Sequence, residues 1–428
     1  MTDRSDVAAG TRQVPADGMY TVEQARAAVL ERIRPLGVER VPLTEAVNRM
    51  LADDLVAPYD NPPHDNSAMD GFAVRHADVA GATPASPVIL QVLEDIPAGK
   101  VPQLAVGAGQ ASRIMTGALV PEGADTVIRV EDTQDHGDSV DILEPEDEAG
   151  ENVRCRGEDM KGGEALIAAG TELGPGEIGV LATVQRPYVV VGRRPTVAIL
   201  SSGDELVEVG DERGPGQIVN SNTPALGAVV RASGADPVLL PTAADSESAI
   251  RASIEAAMGC DFIVSSGGVS VGDYDYVKKV LVDLGAEEVL WRVAMKPGKP
   301  LYFCLLRGTP YFGLPGNPVS SLVSFLQFVR PAIRKATGYP EAAWSLPQST
   351  ARIEHDLVND GERRNFLRAR LRLDGDGRLT ASTAHRAQGS HMMTSMLGAN
   401  GFVVLDPEQA VVAGDPVDVQ ILGDVAGP

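Results

Sequence analysis

The sequence is poor in cysteine, and its few cysteines lie far apart. There are three, Cys155, Cys260 and Cys304. No Cys-x-x-Cys pair occurs and no histidine stands near them at metal-ligand spacing, which argues against a disulfide framework and against a structural zinc site. A reducing cytoplasm is therefore the expected location.

The chain also lacks positive charge and long apolar runs. Its 428 residues include 37 Lys and Arg against 59 Asp and Glu, a net charge of -22. Nucleic acid and anionic membranes are bound through basic faces, so neither is expected as the main partner. No run approaches the roughly 18 apolar residues that cross a membrane. The polar first eighteen residues lack a secretory apolar segment, which predicts a flexible tail over residues 1–18.

One stretch, residues 261–276, carries the strongest functional signal. Phe262, Ile263 and Val264 predict a buried strand, and helical spacing resumes at Val277. A Ser-Ser-Gly-Gly turn follows the strand. A strand, a Gly-rich turn and a helix form a geometry that holds phosphate, because backbone N–H groups can face an anion at the start of the helix.

The plain alternative for this stretch is that Gly267 and Gly268 only permit a tight turn between strand and helix. Three hydroxyls in the same stretch supply further donors, namely Ser265, Ser266 and Ser270. The carboxylates of Asp273 and Asp275 would repel a phosphate unless a cation lay between them. The stretch therefore favours a phosphate site with Mg²⁺ over a purely structural turn.

Strands and helices alternate from Arg193 onwards, which predicts a doubly wound α/β domain. Three unusual loops follow strands of this domain, at residues 201–205, 265–275 and 314–320. Parallel strands share one direction, so we expect these loops to emerge at the same edge of the sheet and to converge on one ligand. Lys296 lies in the proline-braced run Lys-Pro-Gly-Lys-Pro, which favours an anion contact over a solvated surface charge.

The N-terminal part contains helical and turn signals. Thr21 caps an amphipathic helix that ends before Pro35, and Thr44 is predicted to cap a second helix over residues 45–50. Residues 62–74 then crowd polar groups around Asp70, more than a structural turn needs. A functional role for Asp70 therefore stands beside the alternative of a plain turn.

Strand-like patterns dominate residues 83–192 and again the chain from Ser345 onwards, where a small antiparallel barrel or sandwich is predicted. Short polar groups interrupt these strands at residues 113–117, 154–159, 363–368 and 387–392. The arginine forks among them suit tetrahedral oxyanions. Each of the first two groups, taken alone, is better explained as a surface turn.

The assembled motifs resemble the MoeA and gephyrin E-domain family, the molybdopterin molybdenumtransferases. The residues that carry the resemblance occur in the family's order and span nearly the whole chain, at 65–74, 113–117, 156–159, 202–205, 265–275, 296–300, 314–320 and 388–391. The resemblance implies an enzyme that takes adenylylated molybdopterin, inserts molybdate at the dithiolene sulfurs and releases AMP with Mg²⁺ present. The site must then hold two anions together, which needs cations to suppress their repulsion.

The resemblance also implies roles for individual residues. The acidic group that handles Mg²⁺ and the phosphate bond is Glu205, Asp245 and Asp275. The molybdate pocket is made by Lys296, Pro297, Arg368 and Ser390, beside the pterin-side loop Pro315, Gly316, Asn317 and Pro318 and the phosphate turn with Ser265, Ser266, Gly267, Gly268 and Ser270. Catalytic residues of the N-terminal domains are Asp70, Thr116 and Asp159, which reach the site of the other subunit in a two-fold homodimer.

The implied fold is multidomain and elongated, with α/β and β parts. After the tail come an N-terminal helical domain (19–60 and 161–192), an inserted β domain (61–160), the α/β molybdopterin-binding domain (193–340) and a C-terminal β-barrel (345–428). Two other functions remain open. One is the molybdopterin adenylyltransferase, otherwise the expected upstream partner, and the other is a non-catalytic molybdopterin-binding scaffold. The two additional loop-bearing domains argue against the first, and the acidic trio argues against the second.

Overall fold

The computed structural model describes residues 18–268 and 276–427. The chain forms two compact units. The first contains the chain up to Ala52, residues 170–174 and the chain from Tyr188 onwards, and the second contains residues 53–169 and 175–187. No helix in the described ranges combines the length and apolarity that a membrane crossing requires.

The first unit begins with helix α1 (Val22–Arg32) and strand β1 (Val38–Pro42). The predicted cap of α1 is confirmed: Thr21 Oγ1 accepts from the Gln24 N–H at 3.1 Å, and the Gln24 side chain accepts from the Thr21 N–H. The second predicted helix, over residues 45–50, is wrong. Only a 3₁₀ turn forms at Leu43–Glu45, because Asn48 adopts a left-handed φ of 60° that a helix cannot contain.

The second unit is built on a curled, mainly antiparallel sheet. Its elements are β2 (Leu55–Val56), β3 (Asn66–Ser67), β4 (Gly71–Val74), α2 (His76–Val79), β5 (Val88–Ile96), β6 (Gln110–Ile114), β7 (Thr126–Arg129), β8 (Thr133–Asp135), β9 (Ser139–Ile142), β10 (Val153–Arg154), β11 (Ala165–Ile167) and α3 (Pro175–Thr183). The sheet order is β7-β4-β6-β5-β9-β8. Phe72 and Val74 face one apolar core and Ala73 the other, so both faces of β4 are buried.

The first unit continues with β12 (Tyr188–Gly192), which pairs with β1, and then with an α/β domain. The elements of this domain are β13 (Thr196–Ser201), β14 (Leu206–Val207), β15 (Ile218–Val219), α4 (Asn222–Ala232), β16 (Asp236–Leu239), α5 (Glu247–Ala257), β17 (Phe262–Ser266), α6 (Tyr276–Asp283), β18 (Glu287–Trp291), β19 (Met295–Lys296), β20 (Tyr302–Leu306), β21 (Thr309–Leu314), α7 (Pro318–Ser324) and α8 (Arg330–Thr337). A single π-helical segment, Phe325–Val329, joins α7 to α8 in one continuous helix.

The sheet of this domain has the order β16-β13-β17-β21-β20-β18, in which the first four strands are parallel. Val197 and Ile199 of β13 face a core shared with α1, α4, α7 and α8. Ala198 and Leu200 of the same strand face a second core shared with α5 and α6. Helices therefore cover both faces, and the predicted doubly wound arrangement is confirmed.

The chain ends in a closed β-barrel. Its strands are β22 (Gln348–Ile353), β23 (Leu357–Val358), β24 (Arg364–Leu373), β25 (Leu379–Thr383), β26 (Gly401–Leu405), β27 (Ala410–Val411) and β28 (Pro416–Ile421). The order β24-β25-β22-β28-β26 closes because β26 also pairs with β24. The predicted fold class, a doubly wound α/β domain combined with a β domain and a terminal barrel, is confirmed. The remaining 3₁₀ turns lie at Val130–Asp132, Glu341–Ala343 and Met393–Met396.

Candidate functional site

A cleft of about 570 Å³ opens at the carboxyl edge of the parallel strands in the α/β domain. The loops after β13, β17 and β21 all line it. The lining residues are Ser201, Ser202, Glu205, Leu206, Ile218, Val219, Asn220, Ser221, Asn222, Ser266, Gly267, Gly316, Asn317, Pro318 and His391. The cleft thus brings together three loops that are far apart in the sequence, and most of its lining residues carry hydroxyl or amide groups or are glycines.

The turn after β17 has a backbone that only glycine adopts easily. Gly267 and Gly268 have φ values of +93° and +67°. A Cβ atom on Gly268 would lie 2.4 Å from Cγ2 of Val277, so the side chain must be absent for helix α6 to pack here. Ser265 is buried and its hydroxyl has no hydrogen-bond partner in the described part of the chain, which leaves a donor available at the strand end.

Asn222, the first residue of helix α4, ties two of the loops together. Its Nδ2 donates to Oγ of Ser266 and to the carbonyl of Gly316, both at 2.7 Å. Its Oδ1 is buried without a partner among the described residues, although the residue lines the cleft. Sequence reasoning missed this residue as a site residue, because an asparagine at a helix start reads as a cap.

The loop after β21 is held by hydrogen bonds beneath the cleft floor. Ser321 Oγ donates to the carbonyl of Pro315 and lies 3.2 Å from Ser266 Oγ. Pro318 begins the long helix, where a proline removes no helical hydrogen bond. The neighbouring Asn317 donates through Nδ2 to Ser390 Oγ at 3.1 Å, so the barrel loop that carries Ser390 reaches the cleft.

The two described members of the acidic trio lie on neighbouring loops. Glu205 is exposed and lines the cleft. Asp245 follows a segment that pairs with the first loop through Ser202 and Ala243, and its N–H donates to Oδ1 of Asp204 at 3.0 Å. The third predicted member, Asp275, lies outside the described residues, as does Ser270. Within residues 18–268 and 276–427, no group of three or more His, Cys, Asp or Glu side chains is arranged to hold a metal.

Arg368 is a fully buried arginine in strand β24 of the barrel. Its side chain donates to Ser395 Oγ at 3.2 Å and to the carbonyl of Gly389 at 3.3 Å, and no described carboxylate forms an ion pair with it. Burial lowers the pKa of the guanidinium to about 10, so it remains charged at neutral pH. A buried cation without a carboxylate partner is suited to an oxyanion.

Lys296 and Pro297 lie at the seam between the α/β domain and the barrel. Lys296 is exposed and Pro297 is buried. The short strand β19 pairs in parallel with β24, with Lys296 opposite Asn365. Lys296 is thereby placed beside the strand that carries Arg368, while its side chain is exposed.

The second unit holds the remaining predicted site residues. Asp70 is exposed, and its Oδ1 accepts from the Thr116 N–H at 2.7 Å and from the Thr116 hydroxyl at 2.8 Å. The backbone hydrogen bond, followed by that of the hydroxyl, lowers the pKa of the Asp70 carboxyl. Asp159 makes a different pair, since Oδ2 accepts from Asn61 Nδ2 at 2.8 Å.

Three family models match successive parts of the chain. The model described as the MoeA N-terminal region (domain I and II) matches residues 20–184, the one described as a probable molybdopterin binding domain matches residues 198–335, and the one described as the MoeA C-terminal region (domain IV) matches residues 350–422. The chain belongs to the MoeA family.

Proteins of this family from several bacteria are similar over most of their length. The chain is 42% identical to a molybdopterin molybdenumtransferase of Nostoc sp., over 84% of this chain and 82% of that one. It is 38% identical to molybdopterin molybdenumtransferase 2 of Mycobacterium tuberculosis, over 94% and 99%. The solved structure of a MoeA protein from Pyrococcus horikoshii shares 33% identity and a TM-score of 0.79, covering 95% of this chain and 100% of that one. The MoeA architecture therefore extends through both units.

Proposed function

We propose that this protein is a molybdopterin molybdenumtransferase of molybdenum cofactor biosynthesis, which inserts molybdate into adenylylated molybdopterin and releases AMP. The observation that carries the proposal is the cleft in which three strand-end loops and the barrel loop with Ser390 converge. Similar proteins from Nostoc and Mycobacterium tuberculosis carry this name. This function requires the protein to bind two anionic substrates together, a phosphate-linked pterin and molybdate.

The phosphate-linked substrate is proposed to bind along the cleft. The Gly267–Gly268 turn lets backbone N–H groups approach a phosphate without steric hindrance from side chains. Ser265 and Ser266 supply hydroxyls at the strand end, and the loop that contains Pro315, Gly316, Asn317 and Pro318 contacts the pterin side. Ser270 belongs to the same proposed group. A cleft of about 570 Å³ is within the range of small-molecule sites.

Molybdate is proposed to bind at the seam of the α/β domain and the barrel. Arg368 provides a guanidinium with no carboxylate partner in the described part of the chain, and Lys296 provides a second positive charge near the same strand. Pro297 and Ser390 complete the pocket. Two cationic groups would offset the charge of the dianion close to a second anionic substrate, which is the main electrostatic requirement of the reaction.

The carboxylates of Glu205 and Asp245, on adjacent loops, are proposed to hold Mg²⁺ together with Asp275. Carboxylate oxygens are the ligands that Mg²⁺ prefers, and the pairing of Ser202 with Ala243 shows that the two loops run side by side. The ion would neutralise charge on the phosphate bond.

Asp70, Thr116 and Asp159 are proposed to act at the site of a second subunit in a homodimer. Mixing two inactive variants tests this arrangement. If each site combines one subunit's second unit with its partner's cleft, heterodimers of Asp70→Asn and Glu205→Gln contain one intact site. The mixture should then recover about one quarter of wild-type activity after subunit exchange. A mixture as inactive as its components would refute a shared site.

The decisive experiment measures AMP release from adenylylated molybdopterin, with molybdate and Mg²⁺ each present or omitted. We expect release that needs both, and a loss of at least a hundredfold in kcat for Glu205→Gln. Glu212→Gln is the matched control, because Glu212 is an exposed glutamate in the loop between β14 and β15. Pterin binding without AMP release would instead indicate a scaffold. Formation of adenylylated pterin from ATP would indicate the adenylyltransferase that is the proposed upstream partner in the cytoplasm.

A further inference from the structure

A second cavity, of about 500 Å³, lies in the first unit away from the cleft. Helix α4, the long helix that ends in α8 and the last strand of the barrel surround it. Its lining residues are Val229, Ala232, Ser233, Leu326, Arg330, Arg334, Leu346, Pro347, Ile421, Leu422 and Gly423. Most of these side chains are apolar, and the two arginines are the only charged groups among them.

Arg330 is 8% exposed, and its Nη1 donates to the carbonyl of Trp344 at 2.6 Å. Burial, followed by the neighbouring positive charge of Arg334, lowers the pKa of its guanidinium to about 10. The acidic group that acts on Arg330 from a distance is Glu172, which accepts from the Tyr339 hydroxyl at 3.0 Å. Arg330 therefore stays charged at neutral pH within an apolar wall.

Arg334 lies one helical turn further on. Its Nη1 donates to the carbonyl of Ala343 at 2.9 Å, and its guanidinium stacks 4.4 Å from the ring centroid of Tyr339. The Nε atom is buried and has no acceptor among the described residues. Neither Arg330 nor Arg334 forms an ion pair with a described carboxylate, in contrast to Arg32 and Arg251 on other helices. A buried cation beside a half-buried one, neither with a described carboxylate partner, is costly unless an anion approaches them.

We propose that this cavity binds a small organic anion, whose carboxylate or similar head group meets Arg330 and Arg334 and whose apolar body lies against Leu326, Leu346 and Ile421. The head group supplies the negative charge that neither guanidinium receives from a described carboxylate. Contact between the apolar walls and a hydrocarbon chain or ring removes apolar surface from water, which favours binding. The site is independent of the proposed transferase reaction.

The same helix connects the two cavities. Pro318 at its start lines the cleft, and Arg330 lines the second cavity twelve residues later. At 1.5 Å per residue this separation is about 18 Å along the helix axis. The two ligands would therefore not touch, and occupancy of the second cavity can be measured without the transferase substrates.

Calorimetric titration of the full-length protein with four probes tests the proposal. Octanoate carries a negative head group on an apolar chain. Octylammonium has the same chain length with a positive head group, and octanol has it with an uncharged one. Inorganic phosphate is an anion without an apolar chain. We expect octanoate to bind with one-to-one stoichiometry and at least tenfold more tightly than each of the other three. Octanol or octylammonium binding as tightly as octanoate would overturn the role of the arginines. Phosphate binding as tightly as octanoate would overturn the role of the apolar walls.

Two substitutions locate the site. Arg334→Met keeps the aliphatic length and removes the charge, and Ala232→Phe fills the cavity from an exposed helix position. We expect each to weaken octanoate binding at least tenfold while AMP release remains at the wild-type rate. Arg251→Met on α5 is the matched control and should bind octanoate normally. Unchanged octanoate binding in both cavity variants, with wild-type melting temperatures, would overturn the assignment.

Discussion

Nδ2 of Asn222 donates to Oγ of Ser266 at 2.7 Å and so joins the start of helix α4 to the end of strand β17. The second amide hydrogen donates to Gly316, at the turn after β21. One side chain therefore fixes the relative positions of two loops that line the cleft. Its Oδ1, buried and without a described partner, can accept a hydrogen bond from a bound ligand.

Asn222→Ala should weaken substrate binding more than it weakens the fold. Loss of two hydrogen bonds between the loops is expected to raise KM for adenylylated molybdopterin about thirtyfold, because each bond contributes roughly 1 kcal/mol. Asn222→Asp keeps the shape and removes the donors, so it should resemble Asn222→Ala or bind the anionic substrate more weakly. Steady-state kinetics with thermal melting of both variants checks this. An unchanged KM in both would show that the loops hold their positions without the bridge.

Arg368→Met should weaken the use of molybdate and leave the stability of the fold nearly unchanged. Methionine fills a similar volume without the desolvation cost of a buried charge, so the free energy of unfolding should change by about 1 kcal/mol or less. The concentration of molybdate needed for half-maximal AMP release should rise at least tenfold. In the wild type the same requirement should rise as pH increases through about 10, where Arg368 loses its proton. Arg370→Met, an exposed arginine on the same strand, is the control and should behave as wild type.

Thr116→Val should raise the pKa of Asp70. Hydrogen bonds to the ionised carboxylate lower this pKa, so they stabilise the fold above the unfolded value of about 3.9 and lose their effect as pH falls through the folded pKa. Valine removes the hydroxyl donor and keeps the backbone N–H, so the pKa should rise only part of the way. A carbon-13 NMR titration of the Asp70 carboxyl measures it. Thr133→Val, whose hydroxyl donates to the carbonyl of Val130, should leave the pKa unchanged.

Gly71→Ala should destabilise the second unit strongly. A Cβ atom at Gly71 would lie 1.9 Å from the carbonyl oxygen of Ile128 in the neighbouring strand, so β4 and the edge strand β7 would have to separate. We expect a loss of about 3 kcal/mol or more in the free energy of unfolding, measured by urea titration. Gly81→Ala is the control, because a Cβ there meets no atom within 4 Å. Equal stability of the two variants would contradict the close approach at Gly71.

Local patterns and strand direction account for what the sequence could predict. The capping box of Thr21 and Gln24 is contained in four residues, so helix α1 is readable from the chain alone. The convergence of loops at Ser202, Ser266 and Gly316 follows from the common direction of parallel strands. The wrong prediction of a helix over residues 45–50 shows the limit of such patterns. Hydrophobic spacing does not reveal that Asn48 has a left-handed backbone.

The residues that sequence reasoning missed depend on distant partners. Asn222 matters through atoms 44 and 94 positions away, and no local pattern encodes such contacts. Arg330 and Arg334 appear in the sequence as ordinary helical arginines, one turn apart. They line a cavity only because the barrel strand β28 packs beside their helix, and they are the charged residues of its lining.

The division of the chain between its two units has a practical consequence for protein engineering. The backbone passes from one unit to the other four times, after Ala52, Ala169, Gly174 and Pro187. The second unit consequently cannot be removed by trimming an end or by one internal deletion, because the segment 170–174 belongs to the first unit. Its excision requires two new joints, one between residues 52 and 170 and one between residues 174 and 188. A protease that cuts at one passage leaves three covalent tethers between the units.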